Sequence, residues 1–240
     1  MQTTTAEIGD RIFRFSTFIA QAGPNGLTFN QFLLDGDAPL LFHTGMRALF
    51  PLVSEALGKV IPVEKLRWIS FGHIEADECG SVNQWLAAAP ASQVVHSQLA
   101  CDLSVRDLVD RPPRALGDGE VLDLGNRRVR MLMTPHVPHN WEAITLFEEE
   151  TRTLLCGDVT THDGPRPALA TADVVQPVLD AERIFHAWSL TPSTAATLHR
   201  LADLEPACLA SMHGSSVQGG CGKVLREIAA GLATIASARD

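Results

Sequence analysis

The segment of residues 71–80 concentrates side chains that can do metal chemistry. It reads Phe-Gly-His-Ile-Glu-Ala-Asp-Glu-Cys-Gly, so four potential ligands fall within six residues: His73, Glu75, Asp77 and Glu78. A mostly apolar run before it predicts a buried strand, and Ser81 after it is suited to cap a helix. In extended chain, residues 73, 75 and 77 project to one side and residue 78 points elsewhere. Acidic loops are usually solvated turns, but the position directly after a strand favours a metal site.

A second candidate loop spans residues 134–141, which read Thr-Pro-His-Val-Pro-His-Asn-Trp. It follows a predicted strand and contains His136 and His139. Proline fixes its own φ angle, so two prolines set part of the shape of this loop in advance. A single histidine here is usually a surface residue, whereas two in a stiffened loop make either one a candidate ligand.

Two further predicted strands also end on a residue that can bind a metal. Asp158 follows an apolar run and Gly157, and His213 precedes Gly214. A buried aspartate needs a partner or a metal, because an unpaired buried charge is costly. The candidate ligand set therefore holds three imidazoles and three carboxylates: His73, Glu75, Asp77, His139, Asp158 and His213. Six ligands that include a bridging carboxylate suit two metal ions better than one.

The remaining histidines receive simpler interpretations. His43 lies where a predicted strand ends near the site, so a role behind the ligands is open to it. His162 is close to Asp158 in sequence and is a weaker candidate for the same role. The other three are interpreted as packing or surface residues: His96, His186 and His199.

Composition excludes several classes of protein. The chain has 240 residues and a net charge of −9, from 19 basic and 28 acidic residues, which disfavours a nucleic-acid partner. No apolar run is long enough to predict a membrane span, and the first residues do not resemble a secretory signal. The five cysteines are scattered and form no paired motif, which predicts free thiols and a cytoplasmic location.

The predicted elements must carry these loops at their ends. Strand-like runs come in consecutive blocks, and helical patterns fall between and after them. This order differs from the strict alternation of a doubly wound parallel sheet. It predicts an α/β fold of the αββα sandwich type, with two mixed sheets packed face to face and helices outside. In such folds the chemistry lies in loops at strand ends.

The combined pattern resembles the metallo-β-lactamase fold. More narrowly, it is similar to the diiron domain of flavodiiron proteins and to stand-alone oxygen-binding diiron proteins, and the resemblance covers nearly the whole chain. Residues 26–34 are similar to the family's Gly-Thr-Thr-Tyr-Asn strand, with Phe29 in the place of the tyrosine. The order His73-x-Glu75-x-Asp77 matches the family motif. The hydrolytic branch of the fold has histidine where this chain has Glu75, so this residue favours the diiron branch.

The resemblance implies how the ligands divide between two iron ions. By analogy, His73, Glu75 and His139 bind the first iron. Asp77 and His213 bind the second, and Asp158 bridges the two. His139 is preferred because its spacing of 19 positions from Asp158 is the one expected for the family. His136 remains an alternative ligand or a residue behind the ligands.

The chain departs from the family pattern in three respects. Glu78 stands where the family usually has histidine, and it is expected either to be an extra ligand or to turn away and leave a site open. His43-Thr44 stands where the family usually has Asp-Thr. No flavodoxin-like sequence is recognised, so we expect one diiron domain over residues 1–240, without a flavodoxin domain or bound flavin.

Carboxylate and imidazole ligands without thiolate suit iron or manganese, and zinc accepts the same set. The first functional hypothesis is a non-haem diiron protein that binds dioxygen as a sensor or store. A second is reduction of dioxygen or nitric oxide with electrons from a separate redox protein. The alternative is a dinuclear zinc hydrolase that acts on thioesters or phosphoesters. A redox or signalling protein is the expected partner, and a homodimer is expected from the resemblance.

Overall fold

Two mixed sheets form the centre of the molecule in the computed structural model, which describes residues 1–170 and 173–238. The first sheet has seven strands in the order of the chain: β1 (Thr3–Gly9), β2 (Ile12–Ile19), β3 (Leu27–Leu34), β4 (Leu40–Phe42), β5 (Trp68–Ser70), β6 (Gln93–Ser97) and β7 (Arg114–Leu116). Strands β1 to β4 are antiparallel because short turns join them, whereas β4 to β7 are parallel and need longer crossovers.

The second sheet has six strands in the order β13-β12-β11-β10-β9-β8. Their bounds are β8 (Val121–Asp123), β9 (Arg128–Met133), β10 (Ile144–Glu148), β11 (Thr153–Gly157), β12 (Cys208–Ser211) and β13 (Val217–Gln218). Neighbouring strands are antiparallel except for β11 and β12, which are parallel. The carboxyl ends of β11 and β12 therefore lie side by side at one edge of the sheet.

Helices cover the outer faces of both sheets. Their bounds are α1 (Phe50–Gly58), α2 (Ala76–Cys79), α3 (Val82–Ala88), α4 (Gln98–Ala100), α5 (Arg106–Leu108), α6 (Val175–Phe185), α7 (Thr194–Ala202) and α8 (Cys221–Ser237). A π-helical turn, Cys101–Val105, joins α4 to α5. Short 3-10 turns precede α1 and β5 and follow β11.

Three apolar clusters correspond to the interfaces of a four-layer sandwich. The cluster between the sheets joins Phe32 and Phe42 of the first sheet to Leu146 and Leu155 of the second. A second cluster packs the outer face of the first sheet against α1 and α3. The third packs the outer face of the second sheet against α6, α7 and α8. Each sheet is thus buried on both faces, which confirms the predicted αββα architecture.

Local predictions are partly confirmed. The helical pattern predicted over residues 180–201, with an interruption at Thr191-Pro192, forms two helices, α6 and α7, separated by residues 186–193, and the first of them begins earlier, at Val175. Ser81 stands before α3, but its hydroxyl donates to the backbone oxygen of Thr44 instead of capping the helix. The five cysteines are free thiols, as expected, and all of them are buried. Within residues 1–170 and 173–238, no helix has both the length and the apolar character required to cross a membrane.

Candidate metal centre

Four strand ends converge at one end of the two sheets. The loop after β5 carries His73, and the loop after β9 carries His139. Asp158 follows β11 directly, and His213 lies two residues beyond β12. Strand β5 belongs to the first sheet and the other three strands belong to the second, so the candidate site lies where the sheets meet.

His73, His139 and Glu75 form the first group of side chains. The Nε2 atoms of the two histidines are 2.9 Å apart, and their rings meet edge to face. One oxygen of Glu75 lies 3.2 Å from Nε2 of His139, and the other lies 3.5 Å from Nε2 of His73. These three residues can offer donor atoms to one common ion.

Asp77 and His213 form the second group. Oδ2 of Asp77 lies 3.2 Å from Nε2 of His213. Asp77 is half-buried in α2, whereas His213 is buried. The prediction that residues 73, 75 and 77 extend along one side is therefore modified: α2 begins at residue 76, and the turn directs Asp77 to a different histidine.

Asp158 lies between the two groups and presents one oxygen to each. Its Oδ2 is 4.0 Å from Nε2 of His73 and 4.0 Å from Nε2 of His139. Its Oδ1 is 3.4 Å from Nε2 of His213. A carboxylate whose two oxygens face separate donor groups has the arrangement required to bridge two metal ions.

The donor chemistry of this site fits two metal ions. Two nitrogen donors that bind one ion at about 2.1 Å and at right angles lie about 3 Å apart, which matches the two histidines of the first group. Imidazole and carboxylate donors without thiolate suit iron, manganese or zinc. The two groups and Asp158 together contain all six residues predicted from the sequence, so this set is the candidate metal centre.

Hydrogen bonds behind His213 fix the direction of its ring. A backbone oxygen only accepts, so Nδ1 of His213 donates to the oxygen of Thr28 at 2.8 Å and Nε2 is left to face the site. His162 holds the same loop: its Nδ1 donates to Thr160 O, and its Nε2 accepts from the backbone nitrogen of Ser215 at 2.9 Å. The weaker prediction for His162, a role behind the ligands, agrees with this geometry.

The charges of the site raise the proton affinity of its histidines. Burial disfavours the protonated ring of His73, but the carboxylate of Glu78, aided by Glu75, outweighs that penalty and raises the pKa to about 10. Burial also disfavours the protonated ring of His213, but its acidic neighbours, chiefly Asp158, outweigh this effect and raise its pKa to about 9. Burial also raises the pKa of Asp158. Without metal, the site is thus a cluster of ion pairs that holds extra protons.

Metal binding is therefore expected to release protons and to strengthen as the pH rises. The pKa values of His73 and His213 are raised to about 10 and about 9, and that of His139 is also raised, so binding displaces protons from these rings near neutral pH. Affinity then rises about 10-fold per pH unit for each proton displaced. The measurement is calorimetric titration with Mn²⁺ in two buffers of different ionisation enthalpy. Heats that do not depend on the buffer would contradict the prediction.

The same pKa shifts lower the stability of the metal-free fold as the pH rises. A histidine whose folded pKa is raised stabilises the fold fully below its unfolded pKa of about 6.5, and that stabilisation is lost as the pH rises through the folded value. The contribution of His73 and His213 to the free energy of unfolding therefore falls between about pH 7 and pH 10.

Glu78 is buried completely and lies behind His73. Its Oε2 accepts from the backbone nitrogen of His73 at 2.6 Å. Its Oε1 is 3.4 Å from Nδ1 of His73 and 3.3 Å from Nδ1 of His43. Glu78 was expected either to be an extra ligand or to turn away, and these contacts favour turning away from the second group. It also lies close enough to His73 and Asp158 to share an ion with them.

His43 and His136 have different outcomes. His43 is fully buried beside Glu78, so its predicted place behind the ligands agrees with the structure. His136 is exposed, and its backbone nitrogen donates to the oxygen of Asn140. Within residues 1–170 and 173–238, no contact joins the His136 side chain to the other candidates, so the structure does not bring this residue into the site.

Sequence reasoning missed Glu142. This residue is buried in the loop after β9, and its Oε1 accepts from the backbone nitrogen of Ile74 at 3.0 Å. It thereby braces the loop that carries His73 and Glu75. In the sequence, Glu142 is a single acid beside Trp141 in a loop rich in polar residues. This pattern does not distinguish a residue that supports another loop from an ordinary surface charge.

A cavity of about 420 Å³ opens onto the site. Ligand candidates from both groups form its floor, including Glu75, Asp77 and Asp158. Its walls are largely apolar: Val178, Phe185 and Trp188 come from α6 and the chain that follows it, and Leu27 comes from the start of β3. Small molecules therefore reach the candidate metal positions through an apolar chamber.

Two packed mixed sheets with histidine and carboxylate side chains gathered at their strand ends define a metallo-β-lactamase-like protein with a dinuclear type of site. The chain matches the family model described as "ODP family beta lactamase" over residues 27–214. Because the match covers more than half of the chain, the protein belongs to this family.

Known proteins are similar to this chain in sequence or in fold. The chain is 31% identical over 137 residues to a Nostoc sp. PCC 7120 protein named as a diflavin flavoprotein A 3, which covers 56% of this chain and 24% of that protein. It superimposes on rubredoxin oxygen:oxidoreductase of Desulfovibrio gigas with a TM-score of 0.81 and 16% identity, covering 95% of this chain and 62% of that one. For the Flv1 flavodiiron core of Synechocystis sp. PCC 6803, the TM-score is 0.80 and the identity 18%, covering 97% and 61%.

The chain spans about a quarter of the length of the first curated relatives that it matches. At the identities found for the solved structures, the likeness establishes the fold.

Proposed function

We propose that this chain is a non-haem diiron module that binds dioxygen or nitric oxide, and that it reduces this ligand when a separate redox protein supplies electrons. The observation that carries the proposal is the position of Asp158, which presents one oxygen to each of two donor groups. The names of the similar proteins support it, since they include an oxygen oxidoreductase and a flavodiiron core.

The donor set favours iron over zinc. Three carboxylates offset much of the charge of two ferrous ions and favour higher oxidation states, a property that matters for dioxygen and not for hydrolysis. Glu75 supplies one of these charges to the first group, beside His73 and His139. Two iron ions, when bound, supply the electrons and the open coordination positions that a diatomic ligand needs.

The residues around the site have three tasks in this function. Thr28 orients the ring of His213, and Asp158 holds the two donor groups at a fixed separation. The apolar wall that includes Val178 and Trp188 limits the water that reaches the site. An apolar chamber also admits an uncharged diatomic molecule without the desolvation cost that an ion would meet.

The test is anaerobic reconstitution with ferrous iron followed by exposure to dioxygen. A charge-transfer band in the near-ultraviolet or visible range is expected, and zinc-loaded protein is the matched control that should show no band. Steady oxygen uptake after addition of NADH, a flavoprotein reductase and rubredoxin would extend binding to reduction. Protein that holds two irons and gives no spectral change with dioxygen or nitric oxide would contradict the proposal.

A second candidate is metal-dependent hydrolysis of a thioester or phosphoester, and the observation that favours it is the size of the cavity. A volume of about 420 Å³ has room for far more than a diatomic molecule. Zinc-loaded protein should then cleave a member of a thioester and phosphodiester panel, and Asp77→Ala should abolish that cleavage. No turnover by protein with two bound zinc ions would remove this candidate.

A further inference from the structure

Glu78 is the buried acid whose contacts the proposed function does not use. We propose that Glu78 is a positioning residue, not a ligand: it holds the ring of His73 so that Nε2 faces the first metal position, and His43 holds Glu78. This inference rests on the proposed dinuclear site and concerns the protein side of it. It assigns a task to the residue that departs most clearly from the family motif.

Both oxygens of Glu78 lie on the far side of the His73 ring, away from the first group. Oε2 accepts from the backbone nitrogen of His73 at 2.6 Å, which fixes the orientation of the carboxylate. Oε1 then lies 3.4 Å from Nδ1 of the same residue. A carboxylate that contacts Nδ1 favours the tautomer that carries its proton there and leaves Nε2 free to bind a metal.

The ring of His73 separates Glu78 from the first group. Its Nε2 is the nitrogen that lies 2.9 Å from His139 and 3.5 Å from Glu75, whereas Nδ1 faces Glu78. An imidazole cannot present both nitrogens to one ion. A metal in the first group therefore lies on the opposite side of the ring from Glu78.

The surroundings of Glu78 are shaped to hold a carboxylate. His43 is fully buried between Phe32 and Phe42, and its Nδ1 lies 3.3 Å from Oε1 of Glu78. Two glycines provide the space for this carboxylate: a Cβ atom on Gly72 would lie 2.9 Å from Oε2, and one on Gly157 would lie 3.4 Å from Oε1. The backbone oxygen of Glu78 also accepts from Thr44, which anchors α2 beside the site.

The Glu78→Gln variant separates this role from simple space filling, because glutamine has the same shape. If its oxygen keeps the bond to the backbone nitrogen of His73, its NH₂ group faces Nδ1 and favours the tautomer with a proton on Nε2. That tautomer cannot bind a metal through Nε2. The affinity of one of the two metal ions is expected to fall about 10- to 100-fold, whereas the other ion, held by Asp77 and His213, is retained.

Calorimetric titration with Mn²⁺ measures both affinities. The matched control is Glu148→Gln, a second fully buried acid, which bonds Thr151 and lies 3.8 Å from Arg127 at the end of β10. This control should keep both affinities. Unchanged affinities in Glu78→Gln, or an equal fall in both while circular dichroism shows an intact fold, would overturn the inference.

A measurement on the unaltered protein keeps the inference testable if Glu78→Gln does not fold. In zinc-loaded, ¹⁵N-histidine-labelled protein, His73 should show a protonated Nδ1 and a metal-bound Nε2. Coordination through Nδ1, or an unprotonated Nδ1, would overturn it. Protein that binds no metal at all would instead contradict the proposed function, so the two failures can be told apart.

Discussion

Asp158→Ala is expected to abolish tight binding of both metal ions and to change the stability of the metal-free fold little, because a burial cost and an ion pair are removed together. The carboxylate is the one group that reaches both donor sets, with Oδ2 directed at His73 and His139 and Oδ1 at His213. Loss of a residue behind a ligand costs about 10- to 100-fold in metal affinity, so loss of a shared ligand should cost more than about 100-fold at each ion.

The effect on stability follows from the pKa of Asp158. Burial raises the pKa of Asp158, so its charge costs free energy in the metal-free fold, but the same carboxylate stabilises the protonated ring of His213. Removal of Asp158 relieves the first effect and loses the second. Metal content by atomic absorption and urea unfolding of the metal-free protein measure the two effects. Asp180→Ala, which removes an exposed acid of α6, is the control and should change neither. Full occupancy by two ions in Asp158→Ala would show that Asp158 does not bridge.

Gly214→Ala is expected to destabilise the protein by about 2–5 kcal/mol and to weaken metal binding at His213. The backbone of Gly214 has a φ of +93°, which an alanine adopts at a cost of about 1–2 kcal/mol. The added Cβ would lie 2.4 Å from Cε1 of His162, and overpacking of this kind costs about 1–3 kcal/mol more. To make room, the His162 ring must move and give up its bond to Ser215.

Gly219→Ala provides the matched control for this substitution. Its φ is +76°, but a Cβ added there meets nothing within 4 Å, so only the backbone cost of about 1–2 kcal/mol applies. Urea unfolding of the two metal-free variants gives the difference, which isolates the contact with His162. Equal losses of stability in the two variants would mean that the His162 ring moves freely and does not hold the loop.

Much of the site could be predicted from the sequence because the ligands follow buried strands. Asp158 and His213 come at most two residues after a strand whose apolar run is easily recognised, and the meeting of parallel strand ends brings them together. The choice between His136 and His139 could not be made from composition, since both lie in one proline-stiffened loop. It depends on the backbone of that loop, where His136 has a φ of +62° and faces solvent.

The orientation of Glu78 also lay beyond sequence reasoning. It depends on the short helix α2, on a hydrogen bond to the backbone of His73 and on the space left by Gly72, none of which has a periodic signal. Strand β1 lacks a sequence signal for a different reason. It is an edge strand whose side chains are mostly exposed or partly exposed, so it shows no alternation of apolar and polar residues.

Every candidate ligand lies beyond the end of a strand or in a short helix. This placement affects how such a protein can change during evolution. The sheets bury their own side chains in three apolar clusters, and none of the six candidate ligands belongs to these clusters. A mutation that exchanges one of these residues therefore alters the chemistry of the site while the framework keeps its packing. Selection can thus change the metal or the substrate through these residues while the apolar core of the sheets stays the same.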